Sequence, residues 1–169
     1  MRAAAANFEP GTELDDGKYR IVRFLGAGAM GAVFEAENTL TGGRVAIKCV
    51  RLSLDVRDSA GPRLLQEARM AARIRHPNVV HVYDVIRWEG HLGLVMEYLA
   101  GEPLTQHLSE QGLPVDRALS LLLPIMRGVA AAHRQGVIHR DIKPDNILLS
   151  REEESPHPVP KLLDFGIAK

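Results

Sequence analysis

The sequence is poor in several features, and each shortage excludes a class of protein. Its 169 residues include a single cysteine, Cys49, which excludes both a disulfide framework and a CxxC metal site. No apolar run approaches the length of about 18 residues that a membrane-spanning helix needs. The 21 basic and 21 acidic residues cancel, and a chain without net charge is a poor candidate for salt-driven binding to nucleic acid or anionic lipid.

The overall composition is that of an ordinary globular protein. Apolar residues make up 46% of the chain and charged residues 25%, which excludes the disordered and fibrous classes. The length allows one good-sized domain or two small lobes. Sixteen of the basic residues are arginines and only five are lysines, and two of these lysines, Lys48 and Lys143, stand where chemistry would use an ammonium group.

The hydrophobic pattern divides the chain into a β-rich part and an α-rich part. Alternating apolar residues predict a three-stranded antiparallel meander, and helical spacing then predicts one helix, followed by two more strands. Beyond residue 103 the pattern favours a short helix, a long helix in which Pro124 should cause a kink or the loss of a hydrogen bond, and a closing strand. Residues 1–17 are predicted to be a flexible leader. The predicted strands are 19–25, 32–37, 44–50, 79–86, 92–98 and 161–163, and the predicted helices are 61–75, 104–110 and 116–134.

Three glycines stand at G-x-G-x-x-G spacing between the first two predicted strands. Gly26, Gly28 and Gly31 would let backbone N–H groups approach phosphate oxygens closely. A dinucleotide-binding fold of the Rossmann type requires a helix next, and the apolar alternation after Gly31 favours a strand instead. Taken alone, the glycines are equally compatible with a flexible hairpin tip.

Two charged residues fall within apolar patterns. Lys48 lies inside the apolar strand 45–50, and Glu67 lies on the apolar stripe of the helix 61–75. Either charge is costly to bury alone, whereas each supplies the counter-charge that the other needs. The sequence therefore predicts a Lys48–Glu67 pair.

The most specific segment is residues 139–146, which is followed eighteen residues later by an Asp-Phe-Gly triplet beginning at Asp164. Asp141 is a candidate proton acceptor and Lys143 a candidate cation, while Asn146 and Asp164 supply oxygen ligands for a hard metal ion. The segment could also be a polar turn, but its composition, order and spacing make a chance occurrence rare. His139 is more consistent with a packed structural histidine than with a base.

Together these motifs resemble the eukaryotic-type (Hanks-type) serine/threonine protein kinase family over residues 18–169. Lys143, two residues after Asp141, follows the serine/threonine pattern, and the richness in arginine and alanine is similar to that of bacterial members. The resemblance implies an α+β, protein kinase-like fold. Residues 18–99 would form a five-stranded antiparallel N-lobe sheet with one helix and the hinge, and residues 100–169 the start of a mainly helical C-lobe, incomplete because the chain stops just after the Asp-Phe-Gly triplet.

The resemblance also implies a reaction, transfer of the ATP γ-phosphate to Ser/Thr hydroxyls of a protein substrate with Mg²⁺ or Mn²⁺. Asp141 would accept the hydroxyl proton, Lys143 would neutralise the moving phosphoryl group, and Asn146 and Asp164 would hold the metal. Lys48, fixed by Glu67, would bind the α- and β-phosphates. The other implied nucleotide contacts are Leu25, Gly26, Ala27, Gly28, Ala29, Met30, Gly31, Val33, Ala46, Met96, Glu97, Leu99 and Leu148, of which residues 97–99 would bind adenine through their backbone.

A second function class stays open at this stage, an ATP-binding or interaction fragment that transfers no phosphate. The family's activation segment and substrate-binding helices are not present in this sequence. An apolar face of the long helix would then be exposed, and the acidic, proline-rich stretch 151–160 is expected to form a solvated loop. We expect a cytoplasmic location, no nucleic-acid partner and no membrane segment, while the sequence leaves the oligomeric state open. The residues of the exposed face are Leu119, Leu122, Leu123 and Met126.

Overall fold

The computed structural model describes residues 8–28, 31–51, 60–88, 91–151 and 157–164, which form two compact units. The first unit contains the described residues up to Arg69 together with Val82–Tyr98. The second contains Met70–His81 and the described residues from Leu99 onward. The two parts expected from the sequence were 18–99 and 100–169, so the structure assigns the segment 70–81 differently.

The first unit is built on a six-stranded antiparallel sheet with the strand order β1-β2-β3-β4-β6-β5. Each strand is longer than or close to its predicted length because the turns fall where glycine and polar residues interrupt the alternation. A helix, α1, follows β4 and ends earlier than predicted, because the N–H groups of Arg73 and Ile74 bond three residues back in tight turns. The elements are β1 (Glu13–Leu14), β2 (Tyr19–Gly28), β3 (Gly31–Asn38), β4 (Arg44–Arg51), α1 (Ala60–Ala71), β5 (Val82–Trp88) and β6 (His91–Glu97).

The sixth strand, β1, comes from the stretch that the sequence predicted to be a flexible leader, and it corrects that prediction for residues 8–17. Leu14 is 4% exposed and pairs with Tyr19 on β2. The ring of Phe8 packs 5.4 Å from Phe34 and 5.6 Å from Trp88, measured between ring centroids. Burial of these apolar side chains offsets the entropy of ordering the stretch, which a pattern this short does not reveal in the sequence.

One face of the sheet forms the core of the first unit. On β3 and β4 every second residue belongs to it, including Phe34, Ile47 and Cys49, each at most 2% exposed. Residues between them therefore project from the opposite face. Burial raises the pKa of the Cys49 thiol to about 12, so Cys49 is a packed apolar group and not a reactive thiolate.

The second unit combines one long helix with a three-stranded antiparallel sheet of strand order β7-β8-β9. The elements are β7 (Gly101–Pro103), α2 (Val115–Arg134), β8 (Ile147–Ser150) and β9 (Val159–Leu162), with short 3₁₀ turns at Leu104–His107 and Pro144–Asn146. The sequence predicted α2 and β9, missed β7 and β8, and placed a helix over 104–110 where only one 3₁₀ turn forms.

The segment before β5 pairs with β9, which explains why the strand predicted over 79–86 begins later, at Val82. The N–H of Val80 donates to the carbonyl of Leu162 at 2.9 Å, and the side-chain amide of Asn78 donates to the carbonyl of Pro160 at 2.8 Å. Val79 and Leu162 form an isolated parallel bridge. Residues 78–80 thus belong to the second unit's sheet edge and not to the first unit's sheet.

Helix α2 runs through Pro124 without interruption and presents two different faces. Leu121 and Ile125 are buried, at 8% and 3% exposed, and the helix packs on β9. The predicted apolar face is exposed over its whole length, with values of 51% for Leu119, 43% for Leu122, 47% for Leu123 and 64% for Met126. Among the described residues, no helix is both long and apolar enough to span a bilayer.

Candidate functional site

In the first unit, the face of the sheet opposite the core carries Lys48. Strand register places Lys48 directly across from Val33 on β3 and from Leu94 on β6. Ala46 lies two residues earlier on the same face, across from Met96. Lys48, Ala46 and Met96 are each only 7–8% exposed, so all three are buried on this face. The sequence predicted these as nucleotide contacts, and the register brings them together on one face.

Glu67, the predicted partner of Lys48, lies half-buried on α1. A half-buried carboxylate and a buried ammonium in the same compact unit are both costly without opposite charges nearby. The Lys48–Glu67 pair therefore stays a prediction that the burial of both groups favours.

The three glycines lie in the β2–β3 hairpin, and their surroundings differ sharply. Gly31 has φ +135°, and a Cβ there would lie 2.0 Å from the carbonyl oxygen of Cys49, so the fold itself requires glycine. A Cβ on Gly26 or Gly28 would meet no atom within 4 Å. Gly26 pairs with Val33, so the open side of the hairpin adjoins the face that carries Lys48. The protein's own packing therefore does not require glycine at 26 and 28, and their role as nucleotide contacts stays a prediction.

The remaining predicted nucleotide contacts before residue 100 lie on β2, at the end of β6 and just after it, or outside the described residues. Leu25 and Ala27 are exposed on β2, and Glu97 ends β6, where its backbone pairs with Val45. Ala29 and Met30 lie outside the described residues. Leu99, the first described residue of the second unit after the hinge, is half-buried.

In the second unit, His139 is fixed as a neutral structural residue. It is 1% exposed, and its Nδ1 lies 3.3 Å from the backbone N–H of Asp141, which donates to it. Its Nε2 must then carry the proton, and it donates to the carbonyl of Leu163 at 2.6 Å. Burial lowers the pKa of His139 below the ordinary 6.5. His139 therefore connects the chain around Asp141 to the end of β9 and does not act as a base.

Asp141 is oriented by two residues that follow it in the same loop. The side-chain amide of Asn146 donates to the carbonyl oxygen of Asp141 at 2.7 Å and to its Oδ2 at 3.0 Å. The ammonium of Lys143 lies 3.3 Å from the same Oδ2. The 3₁₀ turn at Pro144–Asn146 brings the amide back toward Asp141, with the Asn146 N–H bonded to the Lys143 carbonyl at 2.9 Å. The result is a carboxylate held by an amide and a cation.

The two predicted metal ligands lie at the same end of the β8–β9 pair. The N–H of Leu163 donates to the carbonyl of Asn146 at 2.8 Å, and Asp164 follows immediately. The amide nitrogen of Asn146 donates to Asp141, so its amide oxygen would be the ligand atom of the predicted metal site. In the described ranges there is no group of three or more His, Cys, Asp and Glu arranged for a metal. The donor set of one amide and one carboxylate oxygen suits Mg²⁺, which keeps waters and takes phosphate oxygens as its other ligands.

Two residues of this region have a left-handed backbone that the sequence did not reveal. Arg140 has φ +63° and Asp164 has φ +51°, conformations that cost energy for residues other than glycine. Each lies beside a hydrogen bond of His139, to Asp141 on one side and to Leu163 on the other. Leu148, the remaining predicted contact, is half-buried on β8, between the inward-facing Ile147 and Leu149.

Known proteins identify the class to which this fold and these residues belong. The family model described as "Protein kinase domain" matches residues 19–169. Serine/threonine-protein kinase pkn2 of Myxococcus xanthus is 40% identical over 154 residues, which cover 91% of this chain and 18% of that protein. The probable serine/threonine-protein kinase PknB of Lactococcus lactis is 38% identical over 154 residues, covering 90% of this chain and 24% of that protein.

A solved structure agrees with these sequence relatives. The crystal structure of the Mycobacterium tuberculosis PknI kinase domain superimposes with a TM-score of 0.81 at 30% identity, covering 96% of this chain and 63% of that one. The chain belongs to the protein kinase family, and the relatives named here are bacterial serine/threonine kinases. The predicted family and the kinase-like α+β fold are thereby confirmed. The chain spans about a fifth of the length of the curated relatives it matches.

Proposed function

We propose that this chain binds ATP with Mg²⁺ or Mn²⁺ and takes part in transferring the γ-phosphate to Ser or Thr hydroxyls of a protein substrate. The observation that carries the proposal is the network in which Asn146 and Lys143 hold the Asp141 carboxylate. Asp164 lies next to this network, because its neighbour Leu163 donates a backbone hydrogen bond to Asn146. Phosphoryl transfer needs positioning and charge stabilisation more than covalent chemistry, and a prearranged carboxylate, ammonium and oxygen pair supply both.

In the proposed reaction, Asp141 takes the proton of the attacking hydroxyl. A bond forms between the hydroxyl oxygen and the γ-phosphorus, and the bond from that phosphorus to the bridging oxygen of ADP breaks. Lys143, whose ammonium lies 3.3 Å from Asp141, would balance negative charge on the moving group. Asn146 keeps the carboxylate oriented through both of its hydrogen bonds.

Asn146 and Asp164 would hold the metal ion, which neutralises charge on the phosphate oxygens when bound. The amide nitrogen of Asn146 donates to Asp141, and its oxygen would be the atom that binds the cation. This shared use couples the position of the proton acceptor to that of the metal.

The nucleotide would lie against the Lys48 face of the sheet. Lys48 would bind the α- and β-phosphates with Glu67 as its counter-charge, and backbone groups near Gly26 and Gly28 would approach the phosphates. Val33 pairs with Lys48 across the β3–β4 ladder, and Ala46, two residues before Lys48, pairs with Met96 on β6. These neighbouring apolar side chains support a site for the base. Leu25, Leu148 and the backbone of residues 97–99 complete the proposed contacts.

A second candidate is nucleotide binding without phosphate transfer. The observation that favours it is the exposed apolar face of α2, because a helix face of this kind is normally covered in a complete catalytic domain. In either case, use of ATP and the reduced, buried Cys49 support a cytoplasmic location for this part of the protein.

Two substitutions test transfer, Lys48→Met for phosphate binding and Asp141→Asn for proton acceptance. We expect radiolabelled phosphate transfer to a generic Ser/Thr protein to fall by a factor on the order of 10²–10⁴ in each, because each removes a charge on which the transition state depends. Lys18→Met is the matched control, since Lys18 is paired with Asp84 at 2.7 Å on the same sheet and has no proposed role in transfer. Near-normal transfer by Lys48→Met or Asp141→Asn would contradict the proposal.

Thermal denaturation with and without Mg²⁺-ATP separates the two candidate functions. A ligand that binds only the folded state stabilises it by about 2.7 kcal/mol at a hundred times its dissociation constant. A rise in melting temperature together with transfer supports the kinase reaction, whereas a rise without transfer supports nucleotide binding alone. Removing Mg²⁺ with EDTA, or replacing Asp164 with Ala, should abolish most of the rise.

A further inference from the structure

Four side chains in the first unit form a charged cluster that the proposed reaction does not use. The side chain of Glu35 on β3 is only 5% exposed, although it ends in a charged carboxylate. Arg23 donates from Nε to Glu35 Oε2 at 2.8 Å, and Arg44 contacts Oε1 through Nη2 at 2.6 Å and Nε at 2.8 Å. Both oxygens of the carboxylate are therefore held by guanidinium groups. We call Arg23, Glu35, Arg44 and Tyr98 the Tyr98 clamp.

Both arginines that Glu35 holds also contact Tyr98. Arg23 donates from Nη2 to the hydroxyl of Tyr98 at 3.1 Å. The guanidinium carbon of Arg44 lies 4.0 Å from the centroid of the Tyr98 ring, in a cation–π arrangement. The ring is thus fixed at its hydroxyl by one arginine and at its face by the other, so a single buried carboxylate controls both contacts.

The clamp adjoins the residues proposed for the nucleotide base. Glu35 lies on the same sheet face as Val33, because Phe34 between them is part of the core on the other face. Across the β3–β4 ladder Glu35 stands directly opposite Ala46, which in turn stands opposite Met96. Tyr98 comes immediately after the end of β6, where the chain leaves the sheet.

Burying the Glu35 carboxylate does not by itself stabilise the fold. The Glu35 side chain is 5% exposed whereas those of Arg23 and Arg44 are 56% and 57% exposed, so the desolvation penalty falls on the carboxylate. Well-packed apolar residues in place of a buried charge are often as stable or more so. What the charged arrangement provides is a defined geometry, since guanidinium and carboxylate groups bond in fixed directions. The group whose geometry is defined in this way is Tyr98, at the exit from the sheet.

We propose that the Tyr98 clamp fixes the backbone of residues 97–99 in the orientation that binds the nucleotide base, which makes Tyr98 and Glu35 positioning residues. This inference rests on the proposed function. A backbone segment that is already ordered loses little conformational entropy when the base binds. An unanchored segment must become ordered at that moment, and this loss of entropy weakens binding. The clamp therefore acts on affinity for the base and on discrimination between bases, and leaves phosphate transfer itself unchanged.

The test compares Tyr98→Leu and Glu35→Gln with the wild-type full chain in steady-state kinetics with ATP and with GTP. We expect KM for ATP to rise by about threefold to tenfold, the loss expected for a charge-assisted hydrogen bond or a cation–π contact, with kcat little changed. KM for GTP should change less, so the preference for ATP falls. Tyr98→Phe keeps the ring on Arg44 and should restore most of the wild-type KM.

Glu13→Gln is the matched control, because Glu13 forms an exposed ion pair with Arg20 at 3.4 Å on the same sheet and is not part of the clamp. It should leave both KM values unchanged. Unchanged KM and ATP preference in Tyr98→Leu and Glu35→Gln would overturn this inference alone, as would equal losses for ATP and GTP, which indicate a merely structural role. A wild-type chain that binds neither nucleotide would overturn the proposed function together with it.

Discussion

At the scale of single residues, two of the four described non-glycine residues with positive φ lie beside the proposed chemistry, and the other two, Asp15 and Asp16, lie in the turn before β2. Arg140 and Asp164 both have positive φ, and each such residue costs on the order of 1–2 kcal/mol relative to an ordinary conformation. His139 offsets this cost by bonding to Asp141 and to Leu163, the neighbours of the two strained residues. One buried neutral histidine thus braces the chain on either side of the site, next to the left-handed residues Arg140 and Asp164.

Two glycine substitutions should separate the demands of folding from those of ligand binding. We expect Gly31→Ala to lower the free energy of unfolding by about 2 kcal/mol or more, because the new Cβ would meet the Cys49 carbonyl at 2.0 Å and φ is +135°. Gly28→Ala has open space around it and should change stability by no more than about 0.5 kcal/mol while weakening ATP binding. Urea unfolding and an ATP titration measure the two effects. Wild-type stability of Gly31→Ala, or wild-type ATP affinity of Gly28→Ala, would contradict this assignment.

At the scale of the secondary-structure elements, α2 is apolar on two faces but buries only one. Ile125 is buried, at 3% exposed, while its neighbour Met126 is 64% exposed. The helix is therefore anchored by a narrow stripe, and its amphipathicity alone does not reveal which apolar face is buried.

The two faces should respond differently to truncation. Ile125→Ala removes buried methyl groups and should cost about 2–5 kcal/mol of unfolding free energy, whereas Met126→Ala should cost no more than about 0.5 kcal/mol. Denaturant unfolding of the two variants measures this difference, and Met126→Gln should in addition reduce aggregation. Equal losses at the two positions would mean that both faces are covered.

At the scale of the whole molecule, the candidate functional residues are shared between two compact units, each with its own sheet. The first unit carries Lys48 and the glycines, and the second carries Asp141, Asn146 and Asp164. The second unit also contains two histidines whose pKa values are lowered below the ordinary 6.5, His139 by burial and His76 by burial and then by the charges of Arg134 and Arg127.

These histidines give the folding stability a definite pH dependence. In the unfolded chain both titrate near 6.5, while the folded state resists protonation, so the unfolded state binds more protons below that pH. Stability should therefore be complete above about pH 7.5 and should fall as the pH drops through 6.5 toward 5. Asp84, whose pKa lies below its ordinary 3.8 because Lys18 bonds to it, stays ionised in that window and contributes nothing to the change.

Urea unfolding at pH 7.5 and at pH 5 measures this effect, and His139→Asn should reduce the difference between the two pH values. His133→Asn is the control, because His133 is exposed on α2 and has no such burial. A pH difference that His139→Asn leaves unchanged would show that the effect arises elsewhere in the chain.

The sequence by itself determined the family, the α+β class and the identity of nearly all candidate site residues. Motif order and spacing predicted Asp141, Asn146 and Asp164 as candidates, because phosphoryl-transfer chemistry demands particular residue types at particular separations, and their roles stay predictions. Alternating and helical patterns also sufficed for the sheet strands β2–β6 and for α2, since burial of one face imposes those periods. The same logic failed for β1 and β7, which are too short to show a period, and for β8, whose consecutive apolar residues Ile147–Leu149 do not alternate.

Only the tertiary structure decided which neighbours these residues have. The commitment of the Asn146 amide to Asp141, the strained backbone at Arg140 and Asp164, the open space around Gly28 and the Tyr98 clamp all join residues distant in sequence or depend on local backbone geometry. Glu35 illustrates the difference, because in the sequence it is one acidic residue between Phe34 and Ala36. Its two arginines come from neighbouring strands, and strand register, which is set by the packing of the whole sheet, brings them to it.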